Sequence, residues 1–189
     1  MDFPKRFETA RLLLRAYAAG DGPMYHAVAK RNREHLARYE RGNALMQIET
    51  DEAGEVVVQD FEKQWEAGEN HFLGLFLRDT GEWAGQIVFG LSNPNIPEYS
   101  IGYIANVTHE GQGYISEGMK GVLSVLFGQL GAHRVRSDCN ENNTRSWRLL
   151  ERCGFKREGH LRENRKNLDG SYHGDYLYGI LRGEHESTA

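Results

Sequence analysis

Two short stretches of the 189-residue chain gather residue types that could do chemistry. The first is Glu110-Gly111-Gln112-Gly113-Tyr114, which follows an apolar run and opens the best-patterned helical segment of the sequence. A strand, a Gly-x-Gly turn and a helix N-terminus together present unpaired backbone N–H groups and the positive end of a helix dipole, a position that suits a phosphate. The same glycines serve equally well as a plain tight turn. A P-loop would need Gly-Lys-Ser/Thr where Tyr114 and Ile115 follow Gly113, and a dinucleotide fingerprint would need a third glycine where Ser116 stands. The second stretch is Asn143-Thr144-Arg145-Ser146. Asn143 and Ser146 are three apart at a helix start, so one turn can aim both side chains at one region, although ordinary capping uses the same residues. The eight histidines include no His-x-x-x-His pair, and Cys139 and Cys153 show neither metal-ligand spacing nor a disulfide framework, so no metal is expected.

These stretches need elements to position them. Residues 11–17 form a short apolar run bounded by charges and then by Gly20-Asp21-Gly22, which predicts a strand. Apolar spacing over 24–39 and 52–66 predicts amphipathic helices, the second stopped by Gly68. Two strands, 71–78 and 83–91, flank the hairpin sequence Asp79-Thr80-Gly81-Glu82, and both are apolar at successive positions, as strands covered on both faces are. A further strand over 98–107 feeds the glycine turn. The helix beyond it carries Ile115, Met119, Val122, Leu123, Leu126, Phe127 and Leu130 as one stripe. A strand over 134–139, a helix over 144–153 and strands over 155–165 and 172–181 complete the pattern. The fold class is α/β (α+β), a mixed and mostly antiparallel sheet with helices on both faces. Residues 7–182 read as one domain, and the tail 183–189, lacking any large apolar residue, as a loose end.

With 23 basic and 27 acidic residues the net charge is −4, too slight and of the wrong sign for a domain that holds nucleic acid by a general basic field. Any polyanion must be met by a local site. No apolar run approaches the roughly 18 residues of a membrane span, and the first residues show no secretory h-region, so a cytoplasmic protein without membrane or nucleic-acid partners is expected.

The runs Ile101-Gly102-Tyr103-Ile104, Glu110-Gly111-Gln112-Gly113-Tyr114-Ile115-Ser116-Glu117 and Asn143-x-x-Ser146 through Cys153-Gly154-Phe155 resemble the GNAT superfamily of acyl-CoA-dependent N-acetyltransferases. More narrowly, Glu8-Thr9-Ala10-Arg11-Leu12-Leu13-Leu14-Arg15 and Asp169-Gly170-Ser171-Tyr172-x-x-Asp175 are similar to the RimJ/RimL branch, which acetylates protein N-termini, ribosomal ones among them. The resemblance implies acetyl-CoA as co-substrate. Gly111, Gln112, Gly113, Tyr114, Ile115 and Ser116 would hold its diphosphate through main-chain N–H groups. The backbone at Ile104 and Ala105 would pair with the pantetheine arm, one N–H lying near the thioester carbonyl. Asn143 matches a polar contact to the pantetheine or acetyl end, and Ser146 a hydroxyl that protonates the departing thiolate.

Several positions depart from the family pattern. Glu110 stands where Gln or Arg is usual, and its carboxylate is expected to point away from a phosphate. Ile115 replaces a Gly or Ala and is expected to crowd the main-chain approach to phosphate. Arg165 and Lys166 occupy the place of a carboxylate base, which leaves Glu98 and Glu163 as candidates, Glu163 sharing a strand face with Arg165 by simple alternation. An α-amine, with a reference pKa of about 7.7–8.0, needs little help to lose its proton, unlike a lysine near 10.4. The expected activity is direct attack of an amine, a protein N-terminal one above all, on acetyl-CoA. A small-amine acetyltransferase and a non-catalytic acyl-CoA-binding module are the alternatives, and a homodimer is compatible with the sequence.

Overall fold

The computed structural model describes residues 3–38, 44–167 and 169–186. Eight strands and five helices, numbered in chain order, occur among them: β1 Arg6–Glu8, β2 Leu12–Ala16, α1 Gly22–Leu36, α2 Asp51–Glu66, β3 His71–Leu77, β4 Trp83–Asn93, β5 Glu98–Ala105, α3 Tyr114–Gly128, β6 Arg134–Asn140, α4 Thr144–Arg152, β7 Lys156–Lys166, β8 Tyr172–Leu181 and α5 Arg182–Glu186. Short 3₁₀ turns, Ala44–Gln47 and Val107–His109, precede α2 and follow β5. Every strand and helix that the patterning predicts is present, and the mixed, mostly antiparallel pairing matches the predicted class. The pattern missed β1, too short to show alternation. Tyr39, placed in the first predicted helix, lies outside the described residues. Contacts gather in two compact units.

In the unit formed by Pro4–Gly90 and Tyr103–Gly118, β1 through β4 pair antiparallel in chain order. Leu14 sits opposite Leu75, and Leu73 opposite Ile87, all four fully buried, which explains the continuous apolar runs. Tyr17, Tyr25, Val28, Val58, Phe61, Phe76, Trp83 and Ile104 form one core cluster. Its polar tips are satisfied: Trp83 Nε1 donates to Tyr17 Oη at 2.9 Å, and Tyr25 Oη to Gln86 Oε1 at 3.0 Å. Burial pushes both tyrosine hydroxyls well above their ordinary pKa. Thr50 caps α2 by accepting the Ala53 N–H at 3.1 Å. Helices α1 and α2 approach so closely that a Cβ on Gly54 would stand 2.3 Å from the Gly22 carbonyl oxygen.

The other unit comprises Leu91–Gly102 and the chain from Met119 onward. The β5–β6 ladder is parallel and short, Glu98↔Arg134 to Ser100↔Arg136, after which Ser137 Oγ donates to the Ile101 carbonyl at 2.9 Å. β6 pairs antiparallel with β8, and β8 with β7. The stripe of α3 is buried at Met119, Val122, Leu123, Leu126 and Phe127, as its spacing requires. Part of the predicted loose tail is instead α5, where Glu184 pairs with Lys156 at 2.6 Å and His185 stacks on Phe127 with ring centroids 5.0 Å apart. A short helix can dock through charge and one ring without large apolar residues, so the composition of the tail carries no sign of it. Residues 187–189 lie outside the described ones.

The first turn of α3 is seated by missing side chains. A Cβ on Gly85 of β4 would stand 2.3 Å from Ile115 Cδ1 and 2.6 Å from the Ile104 carbonyl oxygen, and one on Gly118 would stand 2.5 Å from Leu75 Cδ2. Gly85→Ala is expected to lower stability by about 1–3 kcal/mol through overpacking. Gly128→Ala, which meets nothing within 4 Å, should leave stability unchanged or raise it by up to about 1 kcal/mol. Urea denaturation of the two variants beside the parent checks the contrast.

Candidate active site

In the first unit, β5 leaves the sheet through Asn106, whose N–H still bonds the Ala84 carbonyl of β4 at 3.0 Å. Alternation along the strand therefore turns the Ile104 N–H toward β4 and the Ala105 N–H away from it. Of the two positions expected to offer backbone at this edge, Ala105 is so oriented and Ile104 is not; the Ile104 side chain lies in the core. Asn106 is fully buried, its Nδ2 donating to the Trp83 carbonyl at 2.7 Å. Fully buried Asn32 of α1 accepts the Val107 N–H at 2.8 Å and donates to the Val28 carbonyl at 2.8 Å. These two asparagines fix the path into the loop. Patterning could not single them out, because an isolated Asn reads as a turn residue.

The loop is shaped by Gly111 (φ 76°) and Gly113 (φ 81°), both left-handed and exposed. That conformation suits glycine and leaves successive N–H groups open at the start of α3. Ile115 is buried against Gly85, so it does not crowd the loop as expected: its side chain points into the sheet while its backbone stays in the first turn. Glu110 points away from the loop, its Oε1 lying 3.0 Å from His35 Nε2 of α1. His109 Nε2 lies 3.2 Å from Glu82 Oε2, and its ring meets Tyr114 edge-on. Gln112 is exposed, and Tyr114 and Ser116 are partly buried.

Behind the loop a carboxylate collects three donors. Glu117 accepts from Thr9 Oγ1 at 2.6 Å, from the Arg11 N–H at 2.7 Å and from Arg11 Nε at 2.6 Å. Burial alone would raise its pKa, but the Thr9 hydroxyl and the Arg11 amide and guanidinium outweigh it and hold the carboxyl below its ordinary value. Arg11 also donates from Nη1 to the Gln112 carbonyl at 3.1 Å and lies over the Tyr114 ring. Thr9, Arg11 and Glu117 were visible only as letters of the family resemblance, with no physical role attached.

The remaining candidates belong to the other unit. Asn143 caps α4, its side-chain oxygen accepting the Ser146 N–H at 3.2 Å. The Ser146 hydroxyl hydrogen-bonds the buried Cys139 thiol, whose pKa burial pushes up to about 11. Glu98 is held between Arg134 at 2.8 Å and Arg136 at 3.5 Å, and it accepts the Ser92 hydroxyl at 2.9 Å. Glu163 is exposed on β7 in a bulge where the register with β8 slips between Leu161 and Arg165, and it has a φ of 51°. The expected shared face with Arg165 fails there, because alternation does not survive a bulge. Arg165 itself bonds buried Asp175 at 2.5 Å and reaches Asp138 at 3.5 Å. Among the described residues no cluster of three or more His, Cys, Asp or Glu could hold a metal, and no helix is long and apolar enough to cross a membrane.

Comparison with known proteins turns this geometry into an assignment. A family model described as an acetyltransferase (GNAT) domain matches residues 11–156, most of the chain and every element from β2 to α4. The chain belongs to the GNAT acetyltransferase family. It is 30% identical over 156 residues to the uncharacterized N-acetyltransferase YoaA of Bacillus subtilis (strain 168), covering 82% of this chain and 85% of that one. Its fold is similar to that of RimL, a ribosomal-protein alpha-N-acetyltransferase solved in complex with coenzyme A, with a TM-score of 0.82, 22% identity and coverage of 92% and 95% of the two chains. It is also similar to that of MccE, a microcin C7 self-immunity acetyltransferase solved with acetyl-CoA and AMP, with a TM-score of 0.80, 17% identity and coverage of 92% and 93%. The protein is thus an acyltransferase of the GNAT type.

The Glu117 carboxyl gives this GNAT domain a pH signature. A folded-state pKa below the unfolded value means stabilisation that is present above the unfolded pKa of about 4.3 and lost as pH falls through the folded value. Urea midpoints measured from about pH 6 to about pH 3 should fall more steeply for the parent than for Glu117→Gln. Parallel curves would show that the carboxyl titrates alike in both states.

Proposed function

We propose that this GNAT domain transfers the acetyl group of acetyl-CoA to the N-terminal α-amine of a protein or peptide by direct attack of the amine on the thioester. The observation that carries the reading is the loop of two left-handed glycines at the α3 N-terminus, with Glu110 drawn off by His35 and Ile115 withdrawn into the core. Main-chain donors without an inward-facing acid or bulky side chain fit a diphosphate. On this reading residues 111–116 take the diphosphate of acetyl-CoA, the Ala105 N–H serves the developing oxyanion, Asn143 contacts the acyl arm through its amide nitrogen, and Ser146 protonates the departing thiolate. The branch resemblance and the likeness to RimL support the protein acceptor.

Neither Glu98 nor Glu163 is assigned as base: the first is held by two guanidiniums, and the second projects from a bulge. An α-amine is in part neutral near pH 7–8 and can pass its proton to water, which favours this acceptor over a lysine. The second reading, acetylation of a small amine, is supported by the likeness to MccE.

Acetyl-CoA turnover assayed against peptide N-termini, free lysines and small amines, with mass mapping of the products, separates these readings. Acetylation of peptide α-amines is expected; products confined to small amines would replace the first reading by the second, and no turnover with any amine would point to a binding module. Gly113→Glu, which forces a side chain onto a left-handed backbone and a negative charge into the loop, should abolish CoA binding in calorimetry. Ser146→Ala should lower kcat by about ten- to a hundred-fold while changing CoA affinity by less than about twofold. Equal kcat would assign protonation of the sulfur to water.

A further inference from the structure

The loop begins with an acid, Glu110, and positions 110–116 include no cation. Two acids, Glu110 and Glu117, flank the site where a diphosphate would bring further negative charge. Among the described residues, the cation nearest Gly113 comes from about a hundred residues earlier in the chain. Arg11, just before β2, lies with Nη2 3.6 Å from where a Gly113 Cβ would be, an ordinary contact distance that places the guanidinium beside the loop.

The guanidinium is already oriented. Nε is held by Glu117 at 2.6 Å, Nη1 by the Gln112 carbonyl at 3.1 Å, and the plane rests on the Tyr114 ring with its central carbon 4.5 Å from the centroid. Nη2, with two N–H donors, bonds nothing among the described residues. The side chain is about half exposed, so a ligand can reach it. Pre-orientation of this kind removes the rotamer entropy that a free surface arginine would lose on binding.

We infer that Arg11 is a ligand-binding residue, donating from Nη2 to the diphosphate of CoA and supplying the cation that positions 110–116 lack. The inference rests on the proposed placement of the diphosphate at residues 111–116. It assigns Arg11 two tasks: Nε and Nη1 brace the loop, and Nη2 meets the ligand. The brace explains why a guanidinium is used, since an ammonium cannot hold three partners in one plane.

The test compares Arg11→Gln, Arg11→Lys and Glu117→Gln with the parent. Calorimetry with CoA gives affinities, kcat/KM is taken for acetyl-CoA and for acetyl-pantetheine, which lacks the diphosphate, and melting temperatures report folding. Arg11→Gln should weaken CoA by about ten- to a hundred-fold, the range for losing a charged hydrogen bond, and leave kcat/KM for acetyl-pantetheine within about twofold. Glu117→Gln, which loosens the brace but keeps the guanidinium, should weaken CoA severalfold less. If Arg11→Gln does not fold, Arg11→Lys carries the test, with a smaller loss for CoA and none for acetyl-pantetheine. Equal loss in Arg11→Gln and Glu117→Gln, or equal loss for both acyl donors, would reduce Arg11 to a brace and overturn the inference. A parent that binds CoA while Arg11→Gln binds it as tightly overturns the inference alone; a parent that does not bind CoA removes the loop assignment and the inference together.

Discussion

A carboxylate in the first turn of a helix, taking three donors from a segment more than a hundred residues earlier, is the interaction on which the loop depends. Glu117 complements the positive end of the α3 dipole while Thr9 and Arg11 tie it to the start of β2. That tie joins the start of α3 to a segment distant in the sequence. With it, the N–H groups of 111–116 have a fixed backing, and the guanidinium that supplies the backing reaches the Gln112 carbonyl at the loop itself.

The same economy runs through the packing around it. Gly85 and Gly118 let the first turn of α3 sink onto β3 and β4, so Ile115 becomes a core residue instead of an obstacle. Asn32 and Asn106, buried with their amides paired to backbone, set the exit of β5 where no regular ladder could. Buried amides of this kind are costly unless fully bonded, so they specify one path for the chain.

Much of this was legible in the letters. Period-two and period-3.6 patterns located the longer strands and helices, because burial on one or both faces writes itself into every second or every third and fourth residue. The glycine turn was legible because left-handed backbone selects glycine. The orientation of single side chains was not: whether Glu110 turned inward, whether Ile115 blocked the loop and which strand N–H faced outward depend on partners, His35, Gly85 and Ala84, distant in sequence. The β7 bulge was equally hidden, since one slipped register among exposed polar residues leaves no hydrophobic trace. Helix α5 escaped notice because it is held by one ion pair and one ring contact.

Strand β7 is paired on one side only, by β8, and eleven residues of open edge would ordinarily invite another chain to add a strand. Here the edge reads Lys156-Arg157-Glu158 at one end and Arg162-Glu163-Asn164-Arg165-Lys166 at the other, interrupted by two slips of register. A second copy adding here would meet a row of charged side chains and a kinked ladder. The bulge that defeats alternation at Glu163 thus belongs, with the edge charges, to the features that disfavour strand addition at an open edge.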